Sequence, residues 1–109
     1  MILEERTYTL RPGATQRYLA LWEDLGREPQ ERHLGGTHGV YTVEVGELNT
    51  LVFHWRFESE EDRRARRRAL LADAGFAAFR AEVRDLLVGQ RNRLLVRSDR
   101  PNPVPEEHP

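Results

Sequence analysis

Leu51-Val-Phe-His-Trp-Arg-Phe-Glu-Ser-Glu-Glu-Asp-Arg-Arg-Ala-Arg-Arg-Arg-Ala-Leu70 reads as a strand that runs straight into a capped helix. Leu51, Phe53, Trp55 and Phe57 alternate with Val52, His54, Arg56 and Glu58, the two-residue period of a strand with one apolar face. The period changes at Ser59, an N-cap residue with Asp62 three places on, close to a capping box. This junction fixes the register of the rest of the chain.

Working outward, Ile2 to Leu10 reads as a first strand closed by the turn signal Arg11-Pro12-Gly13. Ala14, Tyr18, Leu21, Trp22 and Leu25 fall at helical spacing and make one apolar stripe that stops at Gly26. A short helical turn follows, with Pro29 near its start and Gly35-Gly36 beyond its end. Val40 to Val45 is a second strand, joined to the third through Gly46-Glu47-Leu48-Asn49. Pairing residues whose numbers sum to about 96 sets Tyr41 against Trp55, Val43 against Phe53 and Val45 against Leu51, by the rule that facing residues share a side. Thr42, Glu44, His54 and Arg56 then fall on the other side. The helix from Ser59 reaches Ala72, is interrupted at Asp73-Ala74-Gly75, and resumes with Phe76, Phe79, Val83, Leu86 and Leu87. Asn92 to Arg97 is a fourth strand.

The order β-α-β-β-α-β predicts an α+β, ferredoxin-like domain over residues 1–98, an antiparallel sheet with helices on one face. Residues 99–109 hold four prolines and little apolar content, the composition of a disordered tail. The second sheet face carries Val40 and Val52 among polar groups, and a second copy of the sheet is its natural cover.

Composition removes several kinds of chemistry. The 109 residues contain no Cys, so this chain supplies no disulfide, thiolate nucleophile or sulfur-held metal cluster. All 17 basic residues are Arg, which leaves no side-chain amine for a Schiff base. Ser59 and Ser98 are the only serines, and Ser59 is occupied as a cap. A net charge of −1 argues against a nucleic-acid or anionic-membrane footprint, although Arg63-Arg-Ala-Arg-Arg-Arg68 is locally basic. Glu60, Glu61 and Asp62 precede that run, so it reads as a solvated, salt-bridged helix face. With no long apolar run and no basic-then-apolar leader, the expected location is cytoplasmic. His33 and His38 have no ligand spacing, and no metal or other cofactor is expected.

The ordered set Glu5-Arg-Thr-Tyr-Thr-Leu-Arg-Pro-Gly13, Arg32-His-Leu-Gly35, Gly39-Val-Tyr-Thr-Val-Glu44, Leu48-Asn49, His54-Trp-Arg-Phe-Glu-Ser59, Asp62-Arg63 and Leu86-Leu-Val88 resembles the NIPSNAP family of the dimeric α+β barrel superfamily. The resemblance implies a homodimer in which two ferredoxin-like sheets pack into a barrel. It implies little about mechanism, since that superfamily spans cofactor-free monooxygenases, haem-degrading enzymes, isomerases and stress proteins. Haem degradation in such relatives uses a strand Asn, a Trp and a helical His together. Here Asn49 and Asn92 sit at a turn and a strand edge, and residues 59–87 contain no His.

His54 is the leading candidate catalytic group, since a mid-strand imidazole can move protons near neutrality. The competing reading is a histidine hydrogen-bonded within a dimer seam. Arg6, Tyr8, Thr42, His54 and Arg56 are the candidate ligand-binding set, with the first and third strands as central neighbours. Arg6 suits a carboxylate or enolate through its planar fork, or pairs with Glu4, Glu44 or a partner subunit. The expectation is a homodimer that binds a small organic molecule or performs cofactor-free acid–base or monooxygenase-type chemistry. The alternative is a non-catalytic dimeric protein-interaction or stress-related module.

Overall fold

A computed structural model describes residues 1–36 and 39–99 of the chain. Four strands, β1 (Ile2–Leu10), β2 (Gly39–Thr42), β3 (Thr50–Phe57) and β4 (Leu87–Val96), form an antiparallel sheet in the order β2-β3-β1-β4. The helices α1 (Thr15–Leu21), α2 (Arg27–Leu34), α3 (Glu60–Leu71) and α4 (Ala74–Val83) complete the predicted ferredoxin-like α+β arrangement. Residues 100–109, most of the expected tail, and His38 of the histidine pair lie outside the described residues.

The core forms where the alternation of β3 meets the helical stripes. Leu51, Phe53, Trp55 and Phe57 are all buried, with Phe53 edge-on to both Trp22 and Tyr8 and Tyr18 edge-on to Phe79. The expected interruption at residues 73–75 is present: Asp73 caps α4 by accepting from Phe76 N–H at 3.0 Å. Arg32 and His33 of α2 also reach Asp73, at 2.8 and 2.9 Å, and tie α2 to the start of α4. Ser59 caps α3 through Asp62 N–H as its sequence predicts, and Asp62 returns the bond to Glu58 N–H.

Three expectations are corrected. Gly26 does not stop a helix: the widened turn Trp22–Gly26 carries α1 into α2. A Cβ at Gly26 would stand 2.9 Å from Trp22 and 3.0 Å from Phe79, so this glycine serves close packing. Pro29, in the first turn of α2, lacks the N–H that a regular turn would require. Secondly, the β2–β3 register differs from the expected one by three residues, with Val40 opposite Phe53 and Tyr41 opposite Val52. The Tyr41 ring occupies space above Gly39 that a side chain would fill, and it packs on His54 with ring centres 5.1 Å apart. Val40 and Thr42 therefore take the helix side, Tyr41 the open side, and Val45 is fully exposed in the loop. The loop turns through left-handed backbone at Gly46 and Asn49, and Asn49 is anchored by accepting from Gly13 N–H at 3.0 Å. Thirdly, β4 begins at Leu87 rather than Asn92 and pairs along the whole of β1.

Trp55 is sealed in the core, and its indole N–H has no hydrogen-bond partner among the described residues. An orphaned donor of this kind costs about 1–3 kcal/mol. Trp55→Ala is expected to destabilise the fold by about 3–5 kcal/mol, whereas Trp55→Phe removes the orphan, keeps a ring and costs less than about 2 kcal/mol. Urea denaturation of both variants measures the difference; equal losses would mean that the N–H is satisfied.

Candidate functional site

Antiparallel pairing puts directly opposed residues on one side of a sheet, so the register assigns every side chain of β1. Glu4, Arg6 and Tyr8 lie opposite Trp55, Phe53 and Leu51 and face the helices. Leu3, Glu5 and Thr7 lie opposite Arg56, His54 and Val52 on the open side. The anticipated convergence of Arg6 and Tyr8 with His54 therefore does not occur. One residue of parity separates them by the thickness of the sheet.

On the helix side, Glu4 is completely buried and three guanidinium groups close on it. Arg6 Nη1 donates to Oε2 at 3.0 Å, and Arg63 donates to the same oxygen through Nε at 3.1 Å and Nη2 at 2.8 Å. Arg67 takes Oε1 through Nε at 3.2 Å and Nη2 at 2.5 Å. Burial opposes ionisation of Glu4, but Arg67, Arg6 and Arg63 outweigh it and hold the carboxyl below its ordinary 4.5. Burial, and then the neighbouring Arg6, push Arg67 below the usual arginine range, a repulsion that one carboxylate does not fully cancel. Arg6 Nε also donates to the Tyr8 hydroxyl at 3.0 Å.

This cluster forms one wall of a cavity of about 720 Å3 between β1, β4, α3 and α4. Seven arginines line it: Arg6, Arg63, Arg64, Arg67, Arg68, Arg80 and Arg84. Among the described residues only Glu4 and Glu60 pair with any of them. Tyr8, Tyr18, Phe76 and Phe79 supply an aromatic wall, and among the described residues no imidazole or carboxylate lines the cavity. Such a space attracts an organic anion with an apolar body.

Of the expected ligand-binding set, Arg6 and Tyr8 reach this cavity and the other three do not. Thr42 is exposed at the end of the edge strand, and Arg56 packs on Met1 Sδ at 2.8 Å. His54 belongs to a row across three strands, its Nε2 3.1 Å from Glu5 Oε2 while Arg93 donates to Glu5 Oε1 at 2.7 Å. The arginine run is only half the solvated face expected of it. Arg66 pairs with Asp62 and Arg64 with Glu60 on the surface, but Arg63 and Arg67 turn inward. A signal for this exists in the sequence, since Arg63, Arg67 and buried Leu70 share one stripe of α3 at i, i+4, i+7 spacing.

Sheet order, helix placement and a basic interlayer cavity define a ferredoxin-like α+β protein with a small-molecule-sized pocket. The NIPSNAP family profile matches residues 3–99, and the chain belongs to that family. A NIPSNAP family protein of unknown function from Agrobacterium tumefaciens is 40% identical, with 87% of this chain and 86% of that chain covered and a TM-score of 0.84. A NIPSNAP domain protein from Burkholderia xenovorans is 30% identical over 90% of this chain and 95% of its own, with a TM-score of 0.86. An antibiotic biosynthesis monooxygenase shares the fold alone, at 16% identity and a TM-score of 0.65 over 91% of this chain and all (100%) of that one. A search of curated proteins finds no match. No helix among the described residues is long and apolar enough to cross a membrane.

The Glu4 cluster makes stability depend on pH with a definite sign. Its folded-state pKa is depressed, so its contribution is complete above the ordinary value of 4.5 and is lost as pH falls through the folded value. Glu4→Gln is expected to destabilise the protein at about pH 7, and the gap from wild type should close as pH drops towards about 3. Urea melts across that range measure it; a constant gap would show that the Glu4 charge does not contribute.

Proposed function

We propose that this NIPSNAP protein is a homodimer that binds a small organic anion between its sheet and helices. The observation that carries the reading is the convergence of Arg6, Arg63 and Arg67 on one buried carboxylate at the wall of a 720 Å3 cavity. That volume exceeds the roughly 300 Å3 that a ligand site needs, which favours a binder over a module whose interior is filled by side chains. It also favours binding over acid–base catalysis. The wall presents donors, while His54, the expected base, sits across the sheet beside Glu5.

Dimerisation through the open face is supported by its mixed surface, in which Leu3, Val52, Tyr41 and Leu95 lie around the Glu5 row. A stable two-fold seam there would bury more than about 1,600 Å2 in total. The dimer needs no residue of the cavity, so the two halves of the proposal separate experimentally.

Calorimetric titration with 4-isopropylbenzoate and 4-acetylbenzoate tests binding. Arg67→Ala is expected to weaken both by at least about tenfold, the loss of a charge-assisted bond. Arg68→Ala, which touches no carboxylate of the fold, should weaken them without lowering the melting temperature. Unchanged affinity in both variants would overturn the site. Sedimentation at micromolar concentration should show a dimer that Val52→Asp converts to the 12.7 kDa monomer, because an unpaired carboxylate would be buried. A wild-type monomer would refute the assembly.

A further inference from the structure

Three polar residues of the cavity wall hold hydrogens that nothing among the described residues accepts. Gln30 is 4% exposed, Tyr18 3% and Tyr8 7%, and all three line the cavity. The orientation of Gln30 is set by its neighbour: Trp22 Nε1 donates to Gln30 Oε1 at 2.6 Å, so the amide NH2 must point away from the indole. That NH2 has no acceptor among the described residues. Tyr8 oxygen already accepts from Arg6 Nε, which leaves its own O–H to be donated elsewhere. Tyr18 makes ring contacts with Tyr8 and Phe79, and its hydroxyl has no partner among the described residues. Burial, with Tyr8 adding to it, raises the Tyr18 pKa far above the ordinary phenol value, so it stays a donor.

Buried donors are nearly always paired, and three spare ones on a single wall call for a common acceptor. Gln30 and Tyr18 are not sealed off as Trp55 Nε1 is, and with Tyr8 they line the same open space, the cavity. The arginine cluster accounts for an anion. It does not account for uncharged donors set among Tyr8, Tyr18 and Phe79.

Resting on the anion-binding reading above, we infer that the ligand is an aryl or similarly planar carboxylate carrying a second, neutral acceptor such as a ketone oxygen. The carboxylate meets the arginines, the ring lies along the aromatic wall, and the carbonyl oxygen takes hydrogens from Tyr8, Tyr18 and Gln30. An apolar group placed there instead would cover those donors without pairing them, and sites built to hydrogen-bond a ligand oxygen reject analogues that lack it.

The probes 4-acetylbenzoate and 4-isopropylbenzoate have the same shape and charge and differ in that one oxygen. Calorimetry on the wild-type protein is expected to show the acetyl compound binding at least about tenfold more tightly. Tyr18→Phe, which keeps the ring packed between Tyr8 and Phe79, should reduce that preference to about threefold or less, with 4-isopropylbenzoate binding no more weakly than before because one uncompensated donor is removed. Tyr8→Phe should act in the same direction. Equal affinity for the two probes in wild type, with both weakened in Arg68→Ala, would overturn the second acceptor and leave the anion site standing. A preference that survives both tyrosine variants would likewise overturn it. Failure of both probes to bind at millimolar concentration would overturn both readings.

Discussion

The fold of this chain depends on one buried carboxylate. Helix α3 has few apolar groups to set against the sheet: Leu70 is its buried residue, and the stripe above Leu70 is occupied by Arg67 and Arg63. What docks the helix is Glu4, reached by both arginines from α3 and by Arg6 from its own strand. Removing charges from water is costly, and apolar residues of similar volume often hold such a contact at least as well. An ionic clamp in place of a greasy one leaves the space beside it polar and open. The same choice of residues that attaches α3 therefore also makes the cavity.

Strand β1 shows how one element serves two surfaces. Of its even-numbered residues, Arg6 and Tyr8 supply the floor of the cavity and Glu4 is buried beneath the arginines, while the odd-numbered residues Leu3, Glu5 and Thr7 supply the open face. Neither set is apolar enough to name its side unaided. Glu5 is held below the ordinary glutamate range, chiefly by the hydrogen bond from Arg93, which keeps it an acceptor for His54. A histidine fixed in such a row is oriented by its neighbours on the sheet surface, and the cavity lies behind the backbone that carries it.

Much of this architecture was legible because short-range rules dominate where they were applied. The alternation Leu51, Phe53, Trp55, Phe57 needs only the strand period, and Ser59 as a cap needs only the free N–H groups of a helix start; the break at residues 73–75 was legible, whereas the capping role of Asp73 there was not read. The register of β2 was not legible, since it depends on a loop turning at Gly46 and Asn49 and on the Tyr41 ring lying over Gly39. Gly26 misled for a related reason, its small size being required by Trp22 and Phe79, which are distant from each other in sequence. For the site, Arg6 and Tyr8 were found by chemistry and misplaced with His54 by parity. Arg63 and Arg67 were lost in a run that composition alone makes look uniformly solvated. Spacing against Leu70 distinguishes them, because charge runs on a helix can be read only stripe by stripe.

The character of the wall constrains what can happen inside it. Guanidinium, phenol and amide groups there offer hydrogens, and of the two amide oxygens on the wall that of Gln30 is taken by Trp22, which leaves that of Gln90. A donor-rich cavity stabilises negative charge that a ligand brings with it, and among the described residues no imidazole or carboxylate lines it to remove a proton and create that charge. The antibiotic biosynthesis monooxygenase of like fold shares the backbone arrangement at an identity too low to carry side-chain chemistry across. The residues present are thus better matched to holding an anion already formed than to forming one.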